Sequence, residues 1–172
     1  MQVIIVDMEG FKLTNGQFIV KEFAYVNTNN GQSMCYFIKA PATYYKYTES
    51  EGKIINWLTK HFHKINLDFG FTKFEDIKII FNSLSNTSDT LFLVKGKDKC
   101  TFLSTLTGKK ILNLEDYGCP KFEHLSYPNT YCGFDKHHNT NHCALKKASS
   151  YAKWYHESDK YTCRLLENSF KM

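Results

Sequence analysis

Gln2-Val-Ile-Ile-Val-Asp-Met-Glu9 opens the chain. Residues 2–7 are built on an apolar run, and such a run predicts a strand buried on both faces at the centre of a sheet. Residues two apart on a strand share a face. Asp7 and Glu9 therefore aim two carboxylates the same way from the strand's end, and such a pair holds a hard divalent cation such as magnesium. An Asp-x-Glu alone is common, and a solvated strand end explains it as well. Its weight comes from its place after a buried first strand and before an antiparallel meander.

Asn15-Gly16 and Asn29-Asn30-Gly31 are turn signals. They separate the first strand from an alternating stretch, Gln17–Asn27, and that stretch from a third strand, Met34–Ile38. Short turns make these strands an antiparallel meander. Thr48-Glu-Ser-Glu51 is a capping box that starts a helix over roughly 48–64. The apolar stripe of that helix is Ile54, Ile55, Leu58, Phe62 and Ile65, which leaves His61 and His63 to solvent. Residues 74–84 carry helical spacing with an Ile-Ile-Phe centre that also suits a strand. A strand over 89–94, a helix through Phe102, Leu103 and Leu106, and a strand over 110–114 come next. Gly118-Cys-Pro120 breaks the chain before a short helix to Leu125. Residues 127–142 are polar and irregular, and Ala144 to Tyr155 is a clean amphipathic helix. The last fifteen residues fit either a final helix or a tail. The fold class expected is α/β, with a mixed sheet of three antiparallel strands followed by parallel strands, flanked by helices, in one domain over 1–172.

The second chemical constellation is Cys132-Gly-Phe-Asp-Lys-His-His-Asn-Thr-Asn-His-Cys143, which places two cysteines and three histidines within twelve residues. Thiolate and imidazole are preferred zinc ligands. Cys132 and Cys143 with His138 are the loop's ligand candidates. His137 is an alternate to His138, and Cys119 to Cys132. His142 is open to two readings from the residues alone, a fourth ligand in place of Glu9 or a helix-cap residue.

Composition narrows the class. The chain has 172 residues, a formal net charge of +5 and 16% aromatic residues. That permits contact with nucleic acid without requiring it, since the lysines are spread out. No run reaches the length of a secretory core or a membrane span. The expectation is an intracellular protein, cytoplasmic or nuclear, with reduced cysteines and no membrane partner.

The strand ending in Asp7-x-Glu9, the meander, and the late loop feeding His142 into an Ala-Leu-rich helix resemble the DEDDh exonucleases of the RNase-H-like fold. The resemblance implies four acidic residues around two metal ions, with His142 as general base. His142-Cys-Ala-Leu-Lys-Lys147 resembles the family's closing motif, in which an aspartate stands where this chain has Lys147. In the middle motif, Leu93–Leu103, Asp98 is the nearby acid, surrounded by lysines. The chain is similar in a second way to the RNase-H-like domain of Maelstrom proteins of the piRNA pathway. That domain lost its acidic tetrad and carries a Glu-Cys-His-Cys zinc set, and the ingredients here, in order, are Glu9, Cys132, His137 or His138, and Cys143. The spacing after Cys132 is looser than a Cys-x-x-His.

The resemblances imply a degenerate nuclease-like domain held by structural zinc, binding RNA or another single-stranded nucleic acid, with weak or no nuclease activity. The alternatives are an active magnesium- or manganese-dependent 3′–5′ exonuclease using Asp7, Glu9 and His142 with Asp98 or Asp116, and a protein-interaction module.

Overall fold

β1 (Gln2–Lys12) is buried from Val3 through Glu9, as its apolar run predicts. A computed structural model describes residues 1–85 and 89–172, and at 44 and 45 the backbone alone. β1 pairs antiparallel with β2 (Phe18–Asn27), which pairs antiparallel with β3 (Ser33–Lys39). The turn at Asn15-Gly16 closes the first hairpin, with Gly16 at φ 82°. β4 (Thr72–Lys73), β5 (Thr90–Val94) and β6 (Ile111–Asn113) join parallel to β3, β1 and β5 respectively. The order across the sheet is β4-β3-β2-β1-β5-β6. This is the mixed sheet read from the sequence.

A bulge between Glu9 and Gly10 breaks the β1–β2 ladder. A Cβ at Gly10 would stand 2.0 Å from the Ile19 carbonyl oxygen, so only glycine fits there. Up to the bulge, Glu9 lies directly opposite Glu22. Directly paired residues share a face with their Cβ atoms about 5 Å apart, so the two glutamates are neighbours.

Helices cover both faces. α1 (Glu49–His61) starts at the Thr48/Glu51 capping box. α2 (Asp76–Leu84) resolves the ambiguous 74–84 segment as helix, with Ile77 and Phe81 buried. α3 (Lys97–Thr107) ends at Gly108. α4 (Asp135–His138) is a single turn within the stretch read as irregular, and α5 (Ala144–Glu157) follows it. α6 (Lys160–Lys171) decides the ambiguous C-terminal segment. Asp159 caps it through the Thr162 amide, and Leu166 is fully buried against the sheet-side core. Strand alternation sorts the core into two layers. Val3, Ile5, Val26 and Leu93 meet α5 and α6, while Ile4, Val6, Phe23 and Phe92 meet α2 and α3.

His63 corrects the sequence reading. The helical stripe leaves it to solvent, yet it is fully buried. α1 stops at His61 and the chain turns at Lys64, φ 61°, so position 63 leaves the helical period. Its ring lies edge-on to Phe11, and Nδ1 accepts from the Ile65 amide at 3.1 Å. Burial holds its pKa down to about 4.

Lys21 is fully buried as well. Its Nζ donates to the carbonyls of Ile38 and Leu67, each at 2.7 Å, and to that of Phe69. Burial draws its pKa down to about 8, with Asp68 pulling the other way. The ammonium thus ties β2 to the end of β3 and to the segment after α1. Lys21→Met strips the partner from these carbonyls, each worth about 1–3 kcal/mol when buried and unpaired. We expect a loss of about 2–4 kcal/mol in urea unfolding; an unchanged midpoint contradicts the tie.

Candidate functional site

Glu22 and Lys21 form a charged pair inside an otherwise apolar strand. Alternation sends Glu22 to the α5 side, where it is fully buried. There its carboxylate meets the start of α5: the Ala144 amide donates to Oε2 at 2.7 Å and the Leu145 amide to Oε1 at 3.4 Å. The next amide, Lys146, donates to the Cys143 Sγ at 3.5 Å. The free donors of a helix N-terminus are therefore satisfied by a carboxylate and a sulfur, both of which prefer the positive end of the helix dipole.

Four side chains close on one point. Glu22, Cys132, His137 and Cys143 each place a ligand atom so that all lie within 4.8 Å of one another, and all four are buried. His137 Nε2 contacts Glu22 Oε2, and Cys143 Sγ lies 3.5 Å from Glu22 Oε1. The other imidazole nitrogen, Nδ1, is 2.5 Å from the His63 carbonyl oxygen. A carbonyl only accepts, so Nδ1 carries a hydrogen; Nε2, which here meets the Glu22 carboxylate, would turn a lone pair to a metal once its own proton is released, the usual arrangement of a ligating histidine. Cys35 on β3 donates its thiol to Glu22 Oε1 at 3.2 Å.

The set fits zinc in chemistry and size. Zinc–ligand bonds of about 2.0–2.3 Å imply ligand atoms about 3.3–3.8 Å apart around a tetrahedron; Cys143 Sγ and Glu22 Oε1 have that spacing, at 3.5 Å, and all four atoms lie within 4.8 Å. The electrostatics divide between the two thiols. A hydrogen bond from Cys143 draws the Cys132 pKa down to about 6 against burial, and the same bond pushes the Cys143 thiol up. Burial opposes the charged form of Glu22, but hydrogen bonding and attraction from His137 leave its carboxyl below the usual range. Burial likewise opposes a charged His137, and Glu22 more than offsets it, leaving that pKa raised.

The sequence candidates distribute differently. The carboxylate beside the thiols is Glu22, one strand over from Glu9. The imidazole is His137. His138 is half-buried, with Nδ1 3.6 Å from Cys143 Sγ. Cys119 is a packing residue in the core around Tyr151 and Phe122, away from the cluster. Glu22 escapes a reading by motif, because Asp7-x-Glu9 is the more familiar carboxylate pattern. The signal that marks it is Lys21-Glu22 itself, two charges in a row within an apolar strand.

Asp7 and Glu9 meet lysines. Lys99 Nζ is 2.6 Å from Asp7 Oδ1, and Lys147 Nζ is 2.5 Å from Glu9 Oε1. Lys99 comes from α3 and Lys147 from α5, so each flank of the cleft supplies one ammonium. Burial raises the Asp7 carboxyl although Lys99 and Lys147 pull it down. Burial also works against the Lys147 charge, but Glu9 and Asp7 outweigh it and its pKa ends above normal. Asp98, a sequence candidate for a third ligand, is exposed and paired with Lys12. Asp116 is exposed on the turn after β6. Among the described residues, neither brings a further carboxylate to Asp7 and Glu9. His142 is half-buried, stacked on Phe62 with ring centroids 3.4 Å apart. Burial lowers its pKa, and Glu9 partly restores it.

Structural comparison identifies the scaffold. E. coli Exonuclease I bound to a 5cy-dT13 oligonucleotide superposes with TM-score 0.58 at 13% identity, over 99% of this chain and 42% of that one. Exonuclease I from Methylocaldum szegediense gives 0.56 at 12% identity, over 99% and 43%. The fold is the RNase-H-like fold of exonucleases. A 3′-exonuclease that recognises the histone mRNA stem-loop gives 0.52 at 14% identity, over 99% and 65%. The chain therefore spans under half the length of the Exonuclease I proteins it resembles. No family model and no curated protein matches the sequence.

The Glu9–Lys147 pair is largely enclosed, with side chains 9% and 15% exposed. Removing one partner of such a pair strands the other charge. Glu9→Ala is expected to cost about 2–3 kcal/mol, and Glu9→Ala with Lys147→Met to recover most of it. Urea unfolding of the singles and the double measures the coupling; additive losses contradict it.

Proposed function

We propose that this chain is a degenerate, DEDDh-nuclease-like domain that binds single-stranded nucleic acid, RNA foremost, with a zinc ion as a structural clasp. The observation that carries the reading is the exchange of charge. Lys99 holds Asp7 Oδ1 and Lys147 holds Glu9 Oε1, so two ammonium groups supply positive charge beside these carboxylates, while Asp7 Oδ2 is buried without a hydrogen-bond partner among the described residues. Two-metal hydrolysis needs several convergent carboxylates and an open position for the attacking water. A lysine ammonium supplies charge but no coordination. This weighs against the active magnesium- or manganese-dependent exonuclease, with Asp7, Glu9 and His142 as its machinery.

The clasp sits beside that cleft. Glu22, Cys132, His137 and Cys143 would fill all four positions of a tetrahedral ion, which is the closed, structural kind of site. When bound, zinc supplies a cross-link among β2, the α4 turn and the start of α5. The chain's own residues do the rest. The His63 carbonyl fixes the His137 tautomer, and the Ala144 and Leu145 amides orient the Glu22 carboxylate. A Glu-Cys-His-Cys set in an RNase-H-like domain without its acidic tetrad matches the Maelstrom type in kind, with Glu22 in the place the sequence offered to Glu9. Nucleic-acid binding draws support from the scaffold and the net charge of +5.

Elemental analysis of protein purified without added metal is expected to find zinc at one per chain. Cys143→Ser and Glu22→Gln should each lower affinity for zinc by at least about ten-fold, while Glu9→Gln leaves the stoichiometry unchanged. Loss of zinc in Glu9→Gln, with retention in Glu22→Gln, would assign the carboxylate to the wrong strand. The cleft has its own test. Magnesium should leave the melting temperature of the native sequence unchanged and raise that of the Lys99→Asp, Lys147→Asp double variant. Magnesium-dependent cleavage of an oligonucleotide by the native sequence, abolished in Glu9→Ala, would overturn the degenerate reading.

A further inference from the structure

Trp57 stands on the outer side of α1 with 55% of its surface exposed. A single exposed ring needs no explanation. This one begins a series. Trp57 lies 5.5 Å from the exposed His61 ring and 6.2 Å from Phe62, with planes inclined by 37° and 35°. Phe62 in turn stacks on His142 at 3.4 Å and 23°. The rings run from the surface of α1 to His142 at the foot of α5. His142 Nδ1 is buried and has no hydrogen-bond partner among the described residues.

The end of α1 and the turn after it interleave these rings with charge, as Lys60-His61-Phe62-His63-Lys64, and both lysines are exposed. The acidic residues of the helix, Glu49 and Glu51, are in its first turn, about 14–17 Å away along the axis at 1.5 Å per residue. The aromatic end of α1 is therefore its cationic end. Aromatic faces flanked by lysines suit a polyanion with unpaired, stackable rings, and single-stranded nucleic acid is that ligand. A duplex keeps its bases stacked on one another and offers no free face.

We propose that Trp57, His61, Phe62 and His142 form a base-stacking platform, and that Lys60 and Lys64 hold the phosphates of the strand lying on it. The platform rests on the nucleic-acid reading above and deepens it, because it names the surface and requires the strand to be unpaired. Trp57 is its outermost ring, open to a base on one side. His142 is its inner end, half-buried beside the start of α5.

The chain has two tryptophans, so Trp154→Phe leaves Trp57 as the sole indole reporter. The probes are poly-U and poly-dT oligonucleotides of ~12 nucleotides, within the span such sites cover, and a duplex of equal length. Expected is saturable quenching of Trp57 by the single strands at low salt and little by the duplex. Binding followed by a labelled strand should weaken about ten-fold in Trp57→Ala and persist in Trp57→Phe, which keeps a stacking face. Circular dichroism of Trp57→Ala should match the parent, since the ring is outside the core. Strand binding without quenching, and unchanged in Trp57→Ala, overturns the platform and leaves the nucleic-acid reading standing. Binding of no strand at any salt removes both. Equal affinity for duplex and single strand overturns the stacking. Shielding of Trp57 that grows with protein concentration, with no response to any strand, makes the face a protein contact and also overturns it.

Discussion

Glu22 is the carboxylate around which the rest of the site is organised. It is fully buried near the middle of the sheet, where an unpaired negative charge would be too costly to keep. Every nearby element answers it: β3 with the Cys35 thiol, the α4 turn with His137, and the start of α5 with the Ala144 and Leu145 amides. The polar loop between Leu125 and Cys143 has few apolar anchors of its own. Glu22 gives it a fixed point, and the cysteines give that point the chemistry of a metal site. The burial that makes Glu22 expensive is what makes its ligands specific.

The same economy of charge governs the neighbouring cleft. Asp7 and Glu9 each meet an ammonium from within the chain, Lys99 on α3 and Lys147 on α5. An internal cation is always present and needs no coordination geometry. The Glu22 cluster lies one strand over from Asp7 and Glu9, and it offers sulfur and nitrogen atoms beside its carboxylate. The lateral distance is one ladder rung, since the two glutamates are direct partners.

Much of this was legible in the sequence. The buried β1, the meander, the capping box of α1 and the amphipathic α5 each follow from local pattern, and together they yield the mixed sheet. Cys132 and Cys143 stood out by chemistry, and Lys147 by its misfit at a motif position. What stayed hidden depends on contacts distant in the chain. Glu22 is 110 residues or more from its loop partners, and only the ladder register places it beside Glu9. Lys99 reads as one of several surface lysines until α3 docks and turns it toward Asp7. The choice between His137 and His138 depends on a carbonyl at His63, itself displaced from the helical period by the turn at Lys64. The α6 helix was ambiguous because its stripe makes sense only against the core that buries Leu166.

Zinc K-edge X-ray absorption on the protein purified without added metal tests the central claim most directly. The account predicts zinc with two sulfurs at about 2.3 Å and two nitrogen or oxygen ligands at about 2.0–2.2 Å. Absence of zinc, or a shell of nitrogen and oxygen alone, would contradict it.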